Sequence, residues 1–343
     1  MNDFVAPTLD AIRAAAARIA PHARVTPVLQ SRELDEQTGA HLFFKCEHLQ
    51  RGGAFKFRGA CNAVWSLADD EAKRGVVTHS SGNHGAALTL AAKTRGIPAH
   101  IVVPEGAVAA KLANIERAGG IVHRCAATLA AREETCARVQ QETGATLVHP
   151  YTDARVIAGQ GTVALELLQQ VPDLDAVVVP VGGGGLISGC AIVLRALSPS
   201  TEVIGAEPAG ADDALQSLRR GERVTDVVPD TVCDGLRATI GAPNFALLRE
   251  YDAQVIAADD AATLAAMRLL WAELKQTVEP SSATVLAVLL AQRERFAGKR
   301  VGVVLSGGNV DLDAIPFAAA NRTRPPEGRG EQRASRGAAR RST

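Results

Sequence analysis

Four consecutive glycines, Gly182, Gly183, Gly184 and Gly185, stand between the β-branched run 176–181 and an apolar stretch with helical spacing at 186–197. Glycine gives up more backbone freedom on folding than any other residue, so a run of four calls for a reason stronger than a change of direction. A strand that passes through bare backbone into a helix brings unhindered N–H groups and the positive end of the helix to one point. That arrangement receives a phosphate. A plain flexible turn is the competing reading. The spacing is neither GxGxxG nor GxxxxGKS/T, which weakens a dinucleotide or P-loop assignment. Strand, tight turn and helix in succession are also the unit from which parallel sheets are built.

The unit recurs along the chain. Short apolar or β-branched runs at 42–44, 76–78, 101–103, 121–122, 176–179, 203–204 and 301–305 are bounded by Gly, Pro or polar residues. Helical stretches at 86–93, 109–117, 133–142, 162–170, 186–197 and 261–275 separate most of them. Thr8 is placed to cap a first helix at 10–19, which Pro21 and Pro27 then interrupt. The expectation is an α/β chain with two open, mainly parallel sheet domains, a small one at 75–149 and a larger one formed by 1–74 and 150–320. A chain of 343 residues with 47% hydrophobic side chains can bury two such cores. From 321 to 343 the composition turns to Arg, Gly, Pro and Ala without apolar periodicity, and a disordered basic tail is expected. Little else follows Pro316, so a second regulatory domain is not expected.

Charge and cysteine usage narrow the partners. With 37 basic and 37 acidic residues the chain lacks the concentrated positive surface that nucleic acid or an anionic membrane requires, so a small-molecule substrate is expected. The six cysteines, Cys46, Cys61, Cys125, Cys136, Cys190 and Cys233, form no CxxC pair and read as buried free thiols. There is no secretion-type apolar leader and no run of the roughly 18 apolar residues that would span a bilayer. A cytoplasmic location follows as an expectation.

In open parallel sheets, ligands sit beyond the carboxyl ends of the strands. Three turns occupy such places: the glycine run, Ser80-Ser81-Gly82-Asn83-His84-Gly85, and Ser306-Gly307-Gly308-Asn309. A fourth segment, Gly53-Ala54-Phe55-Lys56-Phe57-Arg58, sets a lysine between two aromatic residues. Desolvation there would disfavour the ammonium and suit an amine that forms a carbon–nitrogen double bond. Taken alone, such a lysine is more often a surface residue with its stem packed.

Together these segments carry a resemblance. LFFKCEHLQRGGAFKFRGACNAV at 42–64, THSSGNHG at 78–85, PVGGGG at 180–185 and LSGGNVD at 305–311 resemble the serine racemase and serine/threonine dehydratase family. These are pyridoxal phosphate enzymes of fold type II, a group that includes threo-3-hydroxyaspartate ammonia-lyases. The resemblance runs from the first helix to Pro316. It implies an ammonia-lyase acting on L-serine, L-threonine or 3-hydroxyaspartate, with racemisation at the same site as the alternative. A non-catalytic phosphate-ligand binder that keeps only the glycine cradle is a more distant reading.

The resemblance also implies roles. Lys56 would be the Schiff-base lysine and the base for the Cα proton, and Phe55 would pack against the cofactor ring. Asn83 would bond the phenolic oxygen, residues 182–185 would hold the phosphate, and Ser306 would face the pyridine nitrogen. A neutral hydroxyl there does not force the ring nitrogen to stay protonated, which favours expelling a β-hydroxyl over transamination. Ser80, Ser81, Gly82, Asn83 and His84 would receive the substrate carboxylate, with Ser81 placed to return a proton in racemisation. Ala86 stands where many relatives have Gln. Arg132 matches an arginine near the substrate entrance, free to meet a second carboxylate or only surface acids. Thr239 replaces a residue that is often Ser. Glu207, Asp213 and the carbonyl of Ala211 match a divalent-cation site for magnesium, calcium or manganese, although two acids six apart otherwise read as a solvated face. A homodimer is implied on the same basis.

Overall fold

A computed structural model describes residues 4–106 and 109–311, so the expected basic tail lies outside the described residues. The described strands are β1 (Val28–Leu29), β2 (His41–Lys45), β3 (Val76–Thr78), β4 (Ala99–Pro104), β5 (Ile121–Cys125), β6 (Thr146–Leu147), β7 (Ala176–Pro180), β8 (Glu202–Pro208), β9 (Gln254–Ala258) and β10 (Arg300–Val304). They form a six-stranded sheet in the order β1-β2-β10-β7-β8-β9 and a four-stranded sheet in the order β5-β4-β3-β6. Every pairing is parallel except β1 with β2. The fold is therefore α/β with two mainly parallel sheets.

The strand sequences explain the layers. Side chains alternate across a sheet, so a strand covered on both faces reads as an unbroken apolar run. In β7, Val177 and Val179 enter a core with Leu167, Ile187 and Val193 from the helices Ala154–Gln170 and Gly185–Leu197. Ala176 and Val178 face the opposite core, with Val301, Val303 and the helix Pro280–Ala291. The smaller sheet is built in the same way. Val76, Ile101 and Val103 pack on Leu88 and Ala91, while Val77 and Val102 meet Cys136 and Val139.

The helix Lys56–Trp65 links the two sheets. It precedes residue 75, yet Phe57, Ala60 and Val64 belong to the core of the smaller sheet. Its other side lies backbone to backbone on Ala154–Gln170, where a Cβ on Gly159 would fall 2.6 Å from the Cα of Gly59. Two residues beyond Lys56, buried Arg58 donates to Glu47 at 2.7 Å and to Glu166 at 3.0 and 3.1 Å. Lys45 reaches the same Glu166. Leaving one of these buried charges unpaired would cost roughly 3–5 kcal/mol, so the helix start is held firmly. Division into a small domain at 75–149 and a larger remainder is our proposal. The four-stranded sheet comes wholly from 76–147, although its core borrows from the Lys56 helix.

Candidate active site

Lys56 opens its helix with Phe55 as the N-cap residue. Its Nζ donates to the carbonyl of Pro150 at 3.0 Å and lies 5.1 Å from the centre of the Phe55 ring. Burial pulls its pKa down to about 8, against the charge of Glu279, which acts to raise it. The two flanking rings expected from sequence do not share this work. Phe57 turns into the smaller sheet's core, because residues one and two places apart on a helix do not face the same side.

Contacts run from Lys56 around a closed circuit. Pro150 leads to Tyr151, whose ring packs so tightly on the glycine run that a Cβ on Gly183 would lie 2.4 Å from it. Gly182 abuts the Cα of Leu236, and Gly235 beside it approaches Glu279. Glu279 accepts from Asn83 Nδ2 at 2.9 and 3.2 Å, and its backbone N–H donates to Gly307 O at 3.0 Å. Gly307 pairs with Ala54 in an antiparallel bridge, and Phe55 N donates to Ser306 O at 3.0 Å. Asn309 completes the lacing by donating to Gly52 O and Asn83 Oδ1, each at 2.9 Å. Lys56, the glycine run, Asn83 and Ser306 are thus brought together from four distant segments.

Two helix starts at this circuit lack a capping side chain. The first helix, Gly185–Leu197, begins from Gly184 at φ +90°, and all four glycines are buried. A Cβ on Gly184 would lie 2.4 Å from Ile240, so both conformation and space require glycine here. First-turn amides have no partner within a helix, and a buried start without a cap calls for an anion. The second helix, Asn83–Arg95, begins from Gly82 at the half-buried loop of Ser80, Ser81 and Asn83. His84 turns inward from that loop. Its Nε2 lies 3.1 Å from Val148 O, and burial, then the charge of Lys56, keep the ring neutral well below the usual histidine range.

The remaining sequence candidates lie nearby. Arg132 is half-buried on the helix Leu129–Thr143, its Nε buried without a hydrogen-bond partner among the described residues, and its charge bears on His79 and Tyr151. Thr239 immediately precedes Ile240, the residue that touches Gly184. Behind them, buried Glu207 accepts from the N–H groups of Ala214 and Leu215 at 3.0 and 2.9 Å, and Asp213 accepts from Ile240 N at 2.7 Å. Burial pushes Glu207 up to about 8 and Asp213 up to about 6, and the charge of Asp213 adds to the effect on Glu207.

Glu279, His149 and Tyr151 escaped the sequence reading. Glu279 sits before Pro280, and proline at the first position of a helix is a start signal that could have drawn notice to it. His149 and Tyr151 sit in a short turn with no comparable sign.

The family profile described as "Pyridoxal-phosphate dependent enzyme" matches residues 19–307. A beta-hydroxyaspartate dehydratase of Paracoccus denitrificans (strain Pd 1222) is 51% identical over 311 residues, covering 91% of this chain and 99% of the relative. A serine racemase of Arabidopsis thaliana is also 51% identical, over 89% of this chain and 93% of its own length. Among solved structures, maize serine racemase superposes with a TM-score of 0.89 at 46% identity, covering 93% of this chain and 98% of that one. The serine racemase of Dictyostelium discoideum gives 0.86 at 46% identity, covering 89% and 99%. The chain belongs to the pyridoxal-phosphate dependent enzymes, within the part of that family that contains dehydratases and serine racemases.

Proposed function

We propose that this enzyme is an ammonia-lyase that removes the β-hydroxyl and amino group of 3-hydroxyaspartate, yielding a 2-oxo acid and ammonia. The observation that carries the reading is the buried, uncapped glycine start of the helix Gly185–Leu197, joined through Tyr151 and Pro150 to an amine whose pKa burial lowers to about 8. Pyridoxal phosphate, when bound, supplies the electron sink for charge left at Cα. Gly182, Gly183, Gly184 and Gly185 would hold its phosphate and Phe55 would pack on its ring. Asn83 has one N–H left for the phenolic oxygen after serving Glu279. The Ser306 hydroxyl would face the ring nitrogen.

The other steps belong to side chains. Lys56 would be the residue that holds the cofactor covalently, and once freed its Nζ takes the Cα proton. Its pKa, lowered by burial to about 8, leaves far more of the amine neutral near neutral pH than an ordinary lysine has. The amides and hydroxyls of Ser80, Ser81, Gly82, Asn83 and His84 would receive the α-carboxylate at the uncapped start of Asn83–Arg95. Arg132, whose buried Nε has no hydrogen-bond partner among the described residues, would take the second carboxylate, which favours hydroxyaspartate over serine or threonine. Thr239 would lie beside the cofactor phosphate, next to Ile240, which packs on Gly184. Racemisation is the second reading, favoured by Ser81, a half-buried hydroxyl in the carboxylate loop that could return a proton to the face opposite Lys56.

Glu207, Asp213 and the Ala211 carbonyl would be the oxygen donors for a hard divalent cation such as magnesium, calcium or manganese. Two buried carboxyls whose pKa values burial raises would be held ionised by one. Among the described residues no three His, Cys, Asp or Glu side chains gather as a metal cluster, so water and the carbonyl would complete the shell. The six cysteines are free and buried, which supports a cytoplasmic enzyme, and a homodimer is proposed from the family likeness. Among the described residues no helix is long and apolar enough to cross a membrane.

The test is a panel of L-serine, D-serine, L-threonine and both diastereomers of 3-hydroxyaspartate, followed for 2-oxo acid, ammonia and chirality. Oxaloacetate from hydroxyaspartate is expected. Accumulation of D-amino acid without 2-oxo acid would replace the lyase reading with racemisation. Absence of a borohydride-fixed label on Lys56 would remove both.

A further inference from the structure

We propose that His149 is a positioning residue: its imidazole closes the turn 149–152 as an acceptor and thereby sets the Lys56 amine and the glycine run in register. The Nδ1 atom accepts from the backbone N–H of Tyr151 at 3.4 Å and of Thr152 at 3.2 Å. A ring nitrogen that receives N–H groups must keep its lone pair, so the ring proton resides on Nε2. Aspartate and asparagine side-chain oxygens commonly perform this task, accepting from amides two and three residues ahead. A histidine in their place fixes one tautomer of a neutral ring.

Each residue of the turn holds part of the candidate site. The Pro150 carbonyl accepts from Lys56 Nζ at 3.0 Å. The Tyr151 ring packs against Gly183, and its backbone carbonyl accepts from Asn244 Nδ2 at 3.0 Å. Asn244 in turn donates to Ser188, one turn into the glycine-led helix, at 3.1 Å, and its Cβ lies against Gly184. The ring of His149 is itself clamped edge-on between His79, 5.2 Å away, and Tyr151, 4.6 Å away. Burial, then the neighbouring His79 and Lys56, push its pKa down to about 4, in keeping with a ring that must stay neutral to accept. Loss of the acceptor frees two amides and lets the lysine's resting partner and the floor of the glycine run move independently.

This inference rests on the reading of Lys56 and the glycine run as one cofactor site, and the experiment separates the two. Apoprotein of the parent, His149→Asn and His149→Leu is titrated with pyridoxal phosphate. The readouts are the dissociation constant, the rate of covalent attachment to Lys56, and apoprotein melting as the control for general damage. Asn keeps an acceptor and should bind within about threefold of the parent. Leu keeps bulk but no acceptor and should bind roughly 10–30-fold more weakly, the worth of two amide hydrogen bonds. Equal binding by Leu and parent overturns the proposal, as does equal loss in both variants when both fold. Should the Leu variant not fold, ¹⁵N NMR of the parent decides the matter. Nε2–H on His149 supports the proposal and Nδ1–H overturns it. A parent that forms no Lys56 adduct rejects the cofactor reading, whatever the tautomer.

Discussion

The carboxamide of Asn83 donates to both carboxylate oxygens of Glu279, at 2.9 and 3.2 Å, tying the loop after β3 to the start of the helix Pro280–Ala291. The same carboxylate is the charge that opposes the effect of burial on Lys56. Glu279→Gln keeps an oxygen for Asn83 but removes the charge. The Lys56 pKa should then fall below about 8, since only desolvation remains to act on it. The amine becomes neutral at lower pH. The pH profile for covalent attachment of pyridoxal phosphate should therefore shift towards acid, and an unchanged profile would contradict the assigned coupling.

Gly184→Ala should damage cofactor retention and stability together. The position has φ +90°, and a Cβ there would meet Ile240 at 2.4 Å and Asn244 at 2.8 Å. Strain and overpacking of this kind cost about 1–3 kcal/mol. Gly96→Ala is the control, since φ is +72° but no atom lies within 4 Å. Thermal melting should show the larger loss at 184, and only that variant should weaken pyridoxal phosphate binding.

Arg132→Met should discriminate between substrates. A charge-assisted hydrogen bond to carboxylate contributes about 1.5–3 kcal/mol, so kcat/KM for 3-hydroxyaspartate should fall roughly 10–200-fold while that for L-serine changes little. Parallel losses for both substrates would show that Arg132 does not read the second carboxylate.

Magnesium should raise the melting temperature of the parent, by an amount equivalent to about 3 kcal/mol at a hundredfold excess over Kd. Glu207→Gln combined with Asp213→Asn should abolish the rise. Calorimetry with and without the ion checks this, and an unaltered response in the double variant would place the cation elsewhere.

The glycine run and the loops around Asn83 and Ser306 stand out in the sequence because each is a contiguous motif just after a strand, whereas Lys56 stands out through its flanking aromatic residues at the start of a helix. The parallel α/β architecture was legible because β7 is apolar throughout and β10 is buried from Val301 onward. Other elements were hidden by physics that short windows do not register. The helix Pro280–Ala291 is buried on nearly every side, so it shows no amphipathic period. The helix expected at 162–170 in fact starts at Ala154 and takes in Gly159 and Gly161, which let backbones touch. β9, with the sequence QVIAA, is too short for its pattern to stand out. Glu279 and His149 act through contacts with residues far away or through a local turn, and neither leaves a periodic trace.

β10 enters the larger sheet between β2 and β7, although it is the last of the described strands along the chain. While the chain emerges from the ribosome, β2 and β7 must wait with open edges until residues 300–304 arrive to join them. The bridge from Gly307 to Ala54 forms later still. Nascent chains should therefore be unable to retain the vitamin-derived cofactor until residues 300–307 have emerged.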